Sequence, residues 1–253
     1  MILFFSATGN SRFAAGLLAD ILKDTLVSLN EVFKNGQKWE FYSETPFVLV
    51  APVYAWRLPA VIEELLKKAV FEGSREMYIV ATVGEHGGLA GKYAGKIVKD
   101  RGMIWKGYRE IRMPDNYLPG FPMMSEKEAA AAIRKAVPLL RETGKAISGG
   151  EILPENRHRK NDRLLSGFVN WSFRRFMANS KSFTVSEACI GCGKCEEVCP
   201  MNNITLQEGK VSFGRQCMFC LGCVHRCPVH AIDYKGKGAK NGYYTCPPDS
   251  EIL

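Results

Sequence analysis

The first half of the chain alternates short β-rich apolar runs with segments in which apolar residues recur at helical period. The β-rich runs fall near Ile2–Phe5, Phe47–Val50, Met77–Ala81 and Ile111–Met113, with a weaker one near Leu26–Leu29. Phe13, Leu17, Leu18 and Ile21 are spaced for one face of a helix over Ser11–Leu22. A second helix is predicted over Val61–Ala69 behind Pro59, and two more over Leu89–Asp100 and Glu126–Thr143. Strands alternating with helices predict an α/β domain on a doubly wound parallel sheet, with ligands beyond the carboxyl ends of the strands.

This pattern ends near residue 153. Residues 155–181 hold seven Lys/Arg against two Asp/Glu, interleaved with Leu164, Leu165, Phe168, Trp171, Phe173 and Phe176. That composition predicts a basic, partly helical connector over 154–181. Its apolar stripe is expected to pack between two domains, and its cations Arg157, Arg159, Lys160, Arg163, Arg174 and Arg175 to face water or steer an acidic partner. Residues 182–234, with four Lys/Arg against five Asp/Glu, read as a second small domain, and 235–253 as a C-terminal tail. The net charge of +8 is therefore concentrated in the connector. No nucleic-acid module accompanies it, so nucleic acid is not an expected partner. The opening MILFFSATGN has too short an apolar run for a secretion signal or a membrane span, so a reducing cytoplasm is the expected location.

All nine cysteines lie between Cys189 and Cys246, which points to metal binding rather than to disulfides. Residues 189–200 read CIGCGKCEEVCP and residues 217–228 read CMFCLGCVHRCP, two copies of one spacing 28 residues apart. A pair of zinc sites could use eight thiolates, but the third cysteine at a further x2 spacing and the trailing Cys-Pro are redundant for tetrahedral zinc. The run resembles that of bacterial two-cluster ferredoxins, in which the fourth cysteine of each run serves the other cluster. The resemblance implies Cys189, Cys192, Cys195 and Cys227 on one 4Fe-4S cluster, and Cys217, Cys220, Cys223 and Cys199 on a second. Gly191, Gly193 and Gly222 are expected to allow unusual dihedrals around the clusters. Ile190, Val198, Ile204, Val211, Val224 and Ile232 are expected to pack around them. Cys246 has no counterpart in the pattern and reads as a free thiol.

Directly after the first strand comes Ser6-Ala7-Thr8-Gly9-Asn10-Ser11, then a helix. Amides, hydroxyls and the positive end of a helix dipole suit a phosphate, without the Gly-Lys-Ser/Thr of a triphosphate loop or the GxGxxG of a dinucleotide fold. The loop resembles the flavodoxin phosphate loop, which implies FMN bound through Ser6, Thr8, Gly9, Asn10 and Ser11. The same resemblance implies ring contacts from Pro52, Val53, Tyr54, Ala55 and Trp56, and from Thr82, Gly84, Gly87 and Gly88. Glu85 and His86 depart from the flavodoxin pattern, and His86 is a candidate proton donor or partner contact. Asn116 and Tyr117 are candidate wall residues.

Over residues 1–234 the chain resembles the flavodoxin-ferredoxin fusion family. This implies a flavodoxin-like five-stranded parallel sheet in order 2-1-3-4-5 over 1–153, followed by a small α+β two-cluster ferredoxin domain. It also implies electron transfer between iron-sulfur carriers and FMN, with redox proteins such as a ferredoxin or a reductase as partners and a homodimer among the expected assemblies. Two alternatives are a flavin-dependent reductase of a small molecule or quinone, and a zinc-bearing non-redox binding module. An oxidoreductase is expected, with no catalytic side chain singled out.

Overall fold

The computed structural model describes residues 1–155 and 158–253. Arg157, counted among the connector cations above, lies outside the described residues. The main sheet is built from β1 (Ile2–Phe4), β2 (Leu26–Ser28), β4 (Phe47–Pro52), β6 (Glu76–Val83) and β7 (Ile104–Arg112). All of its pairings are parallel, in the order β2-β1-β4-β6-β7, which is 2-1-3-4-5 when only these five strands are counted. β4 and β6 are buried almost throughout, which is why they read as unbroken apolar runs.

Helices α1 (Asn10–Leu22) and α5 (Glu126–Ser148) cover one face, and α2 (Leu29–Lys34), α3 (Ala60–Lys68) and α4 (Ala90–Asp100) lie with the other. A capping box of Ser125 and Glu128 starts α5, satisfying two backbone donors at its first turn. The sequence reading missed α2 and the last turn of α5, and two strand features differ as well. The fifth strand starts at Ile104 rather than Ile111, because β7 is an edge strand whose half-buried Lys106, Arg109 and Glu110 interrupt its apolar pattern and hide its length. β3 (Glu40–Ser43) and β5 (Val70–Gly73) form an additional parallel pair.

The connector is an almost continuous helix through Asp162–Leu164, Leu165–Val169, Asn170–Ser172 and Phe173–Met177, the second and fourth stretches being π-helical. Its orientation reverses the expectation. Leu164, Phe168, Trp171 and Phe176 are exposed, whereas Asp162, Ser166 and Asn170 are buried against the first domain. The helix is held by hydrogen bonds: Leu89 N donates to Ser166 Oγ, and Asn170 Nδ2 donates to the Tyr54 and Ala55 carbonyls. Of the named aromatics, Phe173 packs toward the second domain's core.

That second domain holds the antiparallel pairs β8 (Phe183–Val185) with β11 (Ile232–Tyr234), and β9 (Ile204–Gln207) with β10 (Lys210–Phe213). Phe183, Phe219 and Tyr234 meet edge to face at its centre. Residues 235–253 do not trail away. Ile252 is buried in the first domain's core, and Arg134 on α5 donates to the Glu251 and Ile252 carbonyls.

Candidate functional site

Each cysteine run wraps its backbone through left-handed dihedrals at two equivalent positions. These are Gly191 and Gly193 in the first run, and Phe219 and Leu221 in the second. The left-handed conformation costs a residue with a Cβ about 1–2 kcal/mol. The second run offsets that cost by burying both side chains in the small domain's core. Gly222, expected to relax a dihedral, has no positive φ. It lies against the first domain, where a Cβ would make an ordinary contact with the Ala7 carbonyl oxygen at 3.6 Å. Ile204, Val224 and Ile232 are buried as expected, Val198 and Val211 are half-buried, and Ile190 is exposed at the rim instead of packing inside.

The eight cysteines line two cavities. Cys199, Cys217, Cys220 and Cys223 line one, and Cys189, Cys192, Cys195 and Cys227 the other. The fourth cysteine of each run thus joins the first three of the other. Electrostatics follow the same grouping, except that Cys195 also acts on Cys223. Burial, then the charge of neighbouring thiols including Cys199, raises Cys217, Cys220 and Cys223, with Cys220 pushed up to about 12. Cys195 is raised by burial and by Cys189 and Cys227. Amides of Asn203, Phe219 and Ala231 donate to the sulfurs of Cys199, Cys217 and Cys227.

Among the described residues, no three His, Cys, Asp or Glu side chains converge as a single metal ion requires. Four thiols ringing a cavity fit a larger, polynuclear body. Burial that favours the protonated thiol is overcome when a metal cluster takes the thiolate.

Residues 188–231 match the 4Fe-4S dicluster domain family. A ferredoxin of Methanothermococcus thermolithotrophicus is 39% identical over 53 residues, which is 19% of this chain and 88% of that protein. The chain belongs to the 4Fe-4S dicluster ferredoxins. A sheet of flavodoxin-like strand order precedes that region, so the chain is a fusion of a flavodoxin-like fold with a dicluster ferredoxin domain. An uncharacterized ferredoxin of Methanocaldococcus jannaschii is 41% identical over 54 residues, 18% of the fusion, and the fusion spans 66% of that protein's length. Flavodoxins with solved structures align over the first domain. That of Megasphaera elsdenii has 16% identity and a TM-score of 0.35 over 59% of the fusion and 99% of its own chain. An archaeal flavodoxin has 11% identity and a TM-score of 0.38 over 58% and 95%. The strand order itself carries the fold assignment.

The cavity of Cys199, Cys217, Cys220 and Cys223 abuts the carboxyl edge of the flavodoxin-like sheet. Arg226 Nε donates to the Ala7 carbonyl at 2.7 Å, and Met201 and Met218 pack against the first domain's core beside Val53 and Tyr54. His225 Nδ1 accepts from Tyr244 N at 3.1 Å, so its Nε2 carries the proton and donates to the Asn116 carbonyl at 2.9 Å. Burial lowers His225 to about 4 and keeps that neutral tautomer in place. Asn116 Nδ2 in turn donates to Thr8 Oγ1.

In the loop between β1 and α1, Thr8, Asn10 and Ser11 are buried and Gly9 has φ 116°. Ser6 Oγ accepts from Gly9 N, and Ser11 Oγ meets Thr82 Oγ1 at 2.7 Å. Among the described residues, the amides of Ala7, Thr8, Asn10 and Ser11 have no acceptor. Free amides at the start of a 13-residue helix fit a phosphate. The C-terminal tail fixes the outer side of this loop. Cys246 N donates to the Thr8 carbonyl at 2.8 Å, and Tyr244 OH donates to Asn10 Oδ1. Burial pushes the Cys246 thiol up to about 11. A Cβ on Gly9 would stand 2.5 Å from Cys246 Cβ. Gly9→Ala is therefore expected to lower stability by more than about 1 kcal/mol and to release the tail, read as faster proteolysis at its C-terminal end.

The second loop runs from Pro52 through Tyr54–Arg57, closed by paired hydrogen bonds between Tyr54 and Arg57, with Ala55 and Trp56 at positive φ. Tyr54 OH is buried with no partner among the described residues. Burial and then the Cys220 charge hold the phenol far above its ordinary value. Such an orphaned hydroxyl is what a polar cofactor edge would satisfy. Three of the other predicted ring contacts have partners within the protein. Val53 N donates to the Thr82 carbonyl, the Gly84 carbonyl accepts from Arg112, and Gly87 N donates to Glu110 Oε1. A Cβ on Gly88 would stand 2.9 Å from that of Trp56, so the second and third loops touch. His86, read as a candidate proton donor, lies edge-on to Trp56 with Nε2 3.4 Å from buried Asp162 Oδ1.

His225, Arg226, Tyr244 and Asn170 escaped the sequence reading. The polar series Asp162, Ser166, Asn170 and Arg174 at four-residue spacing was the available signal for the last of these.

Proposed function

We propose that the fusion exchanges electrons between one-electron iron-sulfur carriers and a bound FMN, linking ferredoxin-type and flavin-type redox partners in the cytoplasm. The observation that carries this reading is the docking of the Cys199, Cys217, Cys220 and Cys223 cavity on the flavodoxin loops, with the unpartnered Tyr54 hydroxyl beside Cys220. When bound, the clusters supply one-electron and FMN one- or two-electron chemistry.

The chain's own residues supply the rest. Cys189, Cys192, Cys195 and Cys227 hold one cluster, and Cys217, Cys220, Cys223 and Cys199 the other. The free amides of the Ser6–Ser11 loop hold the phosphate, and Tyr54 OH meets the flavin. Gly222 and Arg226 keep the second cluster's backbone against Ala7, and His225 ties it to Asn116. The working division is 1–153 for the flavin and 182–234 for the clusters. The connector 154–181 walls the Tyr54–Arg57 loop, and 235–253 latches onto the phosphate loop.

Anaerobic purification with iron, sulfide and flavin assays tests the reading. About eight iron and eight sulfide per chain with about one FMN is the expected content. A colourless, zinc-containing protein overturns it. Tyr54→Phe is expected to weaken flavin retention by about 1–2 kcal/mol, since the bound flavin loses one hydrogen bond, with iron content unchanged. Equal retention would remove Tyr54 from the flavin's partners.

A further inference from the structure

The connector helix is amphipathic the wrong way round for a soluble linker. Its inward face is polar, with Asp162, Ser166 and Asn170 exposed by 3% or less, while outward-facing Leu164, Phe168, Trp171 and Phe176 are 58, 65, 55 and 61% exposed. Phe168 stacks on Trp171 at 5.8 Å, and Trp171 meets Phe176 edge-on at 5.8 Å, so the exposed rings form one ledge. Water-facing apolar groups in contact with one another mark a surface built to be covered.

Charge identifies what covers it. Lys160, Arg163, Arg175 and Lys181 are exposed and, among the described residues, have no acidic partner within ion-pair distance. Arg159 and Arg174 are already taken by Glu85 and Glu63. The single acid in the described residues 158–181 is buried Asp162. A second copy related by a two-fold axis would bring this cationic face against itself. A protein partner would have to offer a groove for a convex ridge and an acidic rim around it. A lipid surface moulds to a ridge, and Phe, Trp and Leu flanked by Lys and Arg is the composition of helices that lie in a bilayer interface. Among the described residues no helix is long and apolar enough to cross a membrane, so contact would be peripheral.

We propose that this ridge docks the fusion on an anionic membrane surface, with Leu164, Phe168, Trp171 and Phe176 entering the headgroup region and Lys160, Arg163, Arg175 and Lys181 meeting lipid phosphates. The polar face of the same helix stays on the Tyr54–Arg57 and Leu89 loops, so docking needs no rearrangement of the site.

Flotation of the cofactor-loaded full chain with vesicles tests this. Phosphatidylcholine vesicles containing about one-third phosphatidylglycerol should bind it, pure phosphatidylcholine vesicles much more weakly, and high salt should release it. Phe168→Ser with Trp171→Ser should weaken partitioning at least about tenfold. Lys160→Ser, Arg163→Ser and Arg175→Ser together should weaken it about a hundredfold. Circular dichroism and iron content should stay at the unmodified level, because every substituted side chain is exposed. Absent binding to anionic vesicles, or binding undiminished in the variants, overturns the proposal. So does a dimer that the Phe168/Trp171 pair makes monomeric. If that pair slows electron exchange with an acidic ferredoxin while vesicle binding persists, the ridge belongs to a protein partner instead.

Discussion

Cys199→Ser and Cys220→Ser are expected to damage the same cluster, although the two residues belong to different cysteine runs. Each variant should lose about four of about eight iron atoms and leave the other cluster's signal intact in low-temperature electron paramagnetic resonance of the reduced protein. Cys227→Ser should instead resemble Cys192→Ser. The grouping follows from the cavities: Cys199 sits with Cys217, Cys220 and Cys223, whose thiols feel its charge, and Cys227 sits with Cys189, Cys192 and Cys195. The double variant Cys199→Ser with Cys220→Ser should lose no more iron than either single one, because both substitutions remove ligands from one body. Additive loss, with both signals gone, would mean that each run holds its own cluster.

The consequences for the rest of the molecule differ between the two cavities. Cys220 is half-buried where the small domain meets the flavodoxin-like sheet, whereas Cys192 is exposed. Loss of the cluster at Cys220 should therefore loosen the contact of Gly222 with Ala7 and the Arg226 bond to the Ala7 carbonyl, and lower flavin retention. Loss at Cys192 should leave retention unchanged. Flavin content measured alongside iron in the same preparations separates these outcomes.

The cysteine spacing made the dicluster domain legible, because wrapping thiolates around a metal body constrains local chain length more tightly than packing does. The sheet was equally open to reading where burial on both faces forces apolar runs, at Phe47–Pro52 and Met77–Val83. It was hidden at the sheet's edge. In β7 the segment KGYREIR buries Tyr108 on one face and Ile111 on the other among half-buried Lys106 and Arg109, so only its last residues stood out.

The connector shows a different limit. A helical period divides residues into two faces without saying which one turns inward, and the usual assumption that apolar faces turn in fails here. Buried Ser166 and Asn170 satisfy the Leu89 amide and the Tyr54 and Ala55 carbonyls, loop groups that no regular ladder could serve. The tail has no periodicity at all. Tyr244, Cys246 and Ile252 find their places singly, each in a gap made by the first domain.

The connector's grip also depends on one buried carboxylate, which sets the second large expectation. Glu63 on α3 accepts from Arg57 Nε at 2.7 Å and from Arg174 Nη1 at 2.8 Å, while Arg174 Nη2 donates to the Leu58 carbonyl. Arg57 lies 3.5 Å over the Tyr93 ring on α4, so a single acid joins two helices, the Tyr54–Arg57 loop and the connector. Glu63→Gln keeps the shape and removes the charge, leaving two guanidiniums facing a neutral amide. Breaking a buried ion pair from one side costs about 3–5 kcal/mol, and the partial exposure of both arginines puts this case at about 3 kcal/mol. Anaerobic urea unfolding followed by tryptophan fluorescence should show that loss. Arg174→Met should cost less, since Glu63 keeps Arg57, and the double variant should cost less than the sum of the two. Additive costs would mean that Glu63 and Arg174 do not act together. If they do, Glu63→Gln should also free the connector from the loop that carries Tyr54, and flavin should leave the variant faster than it leaves the parent protein.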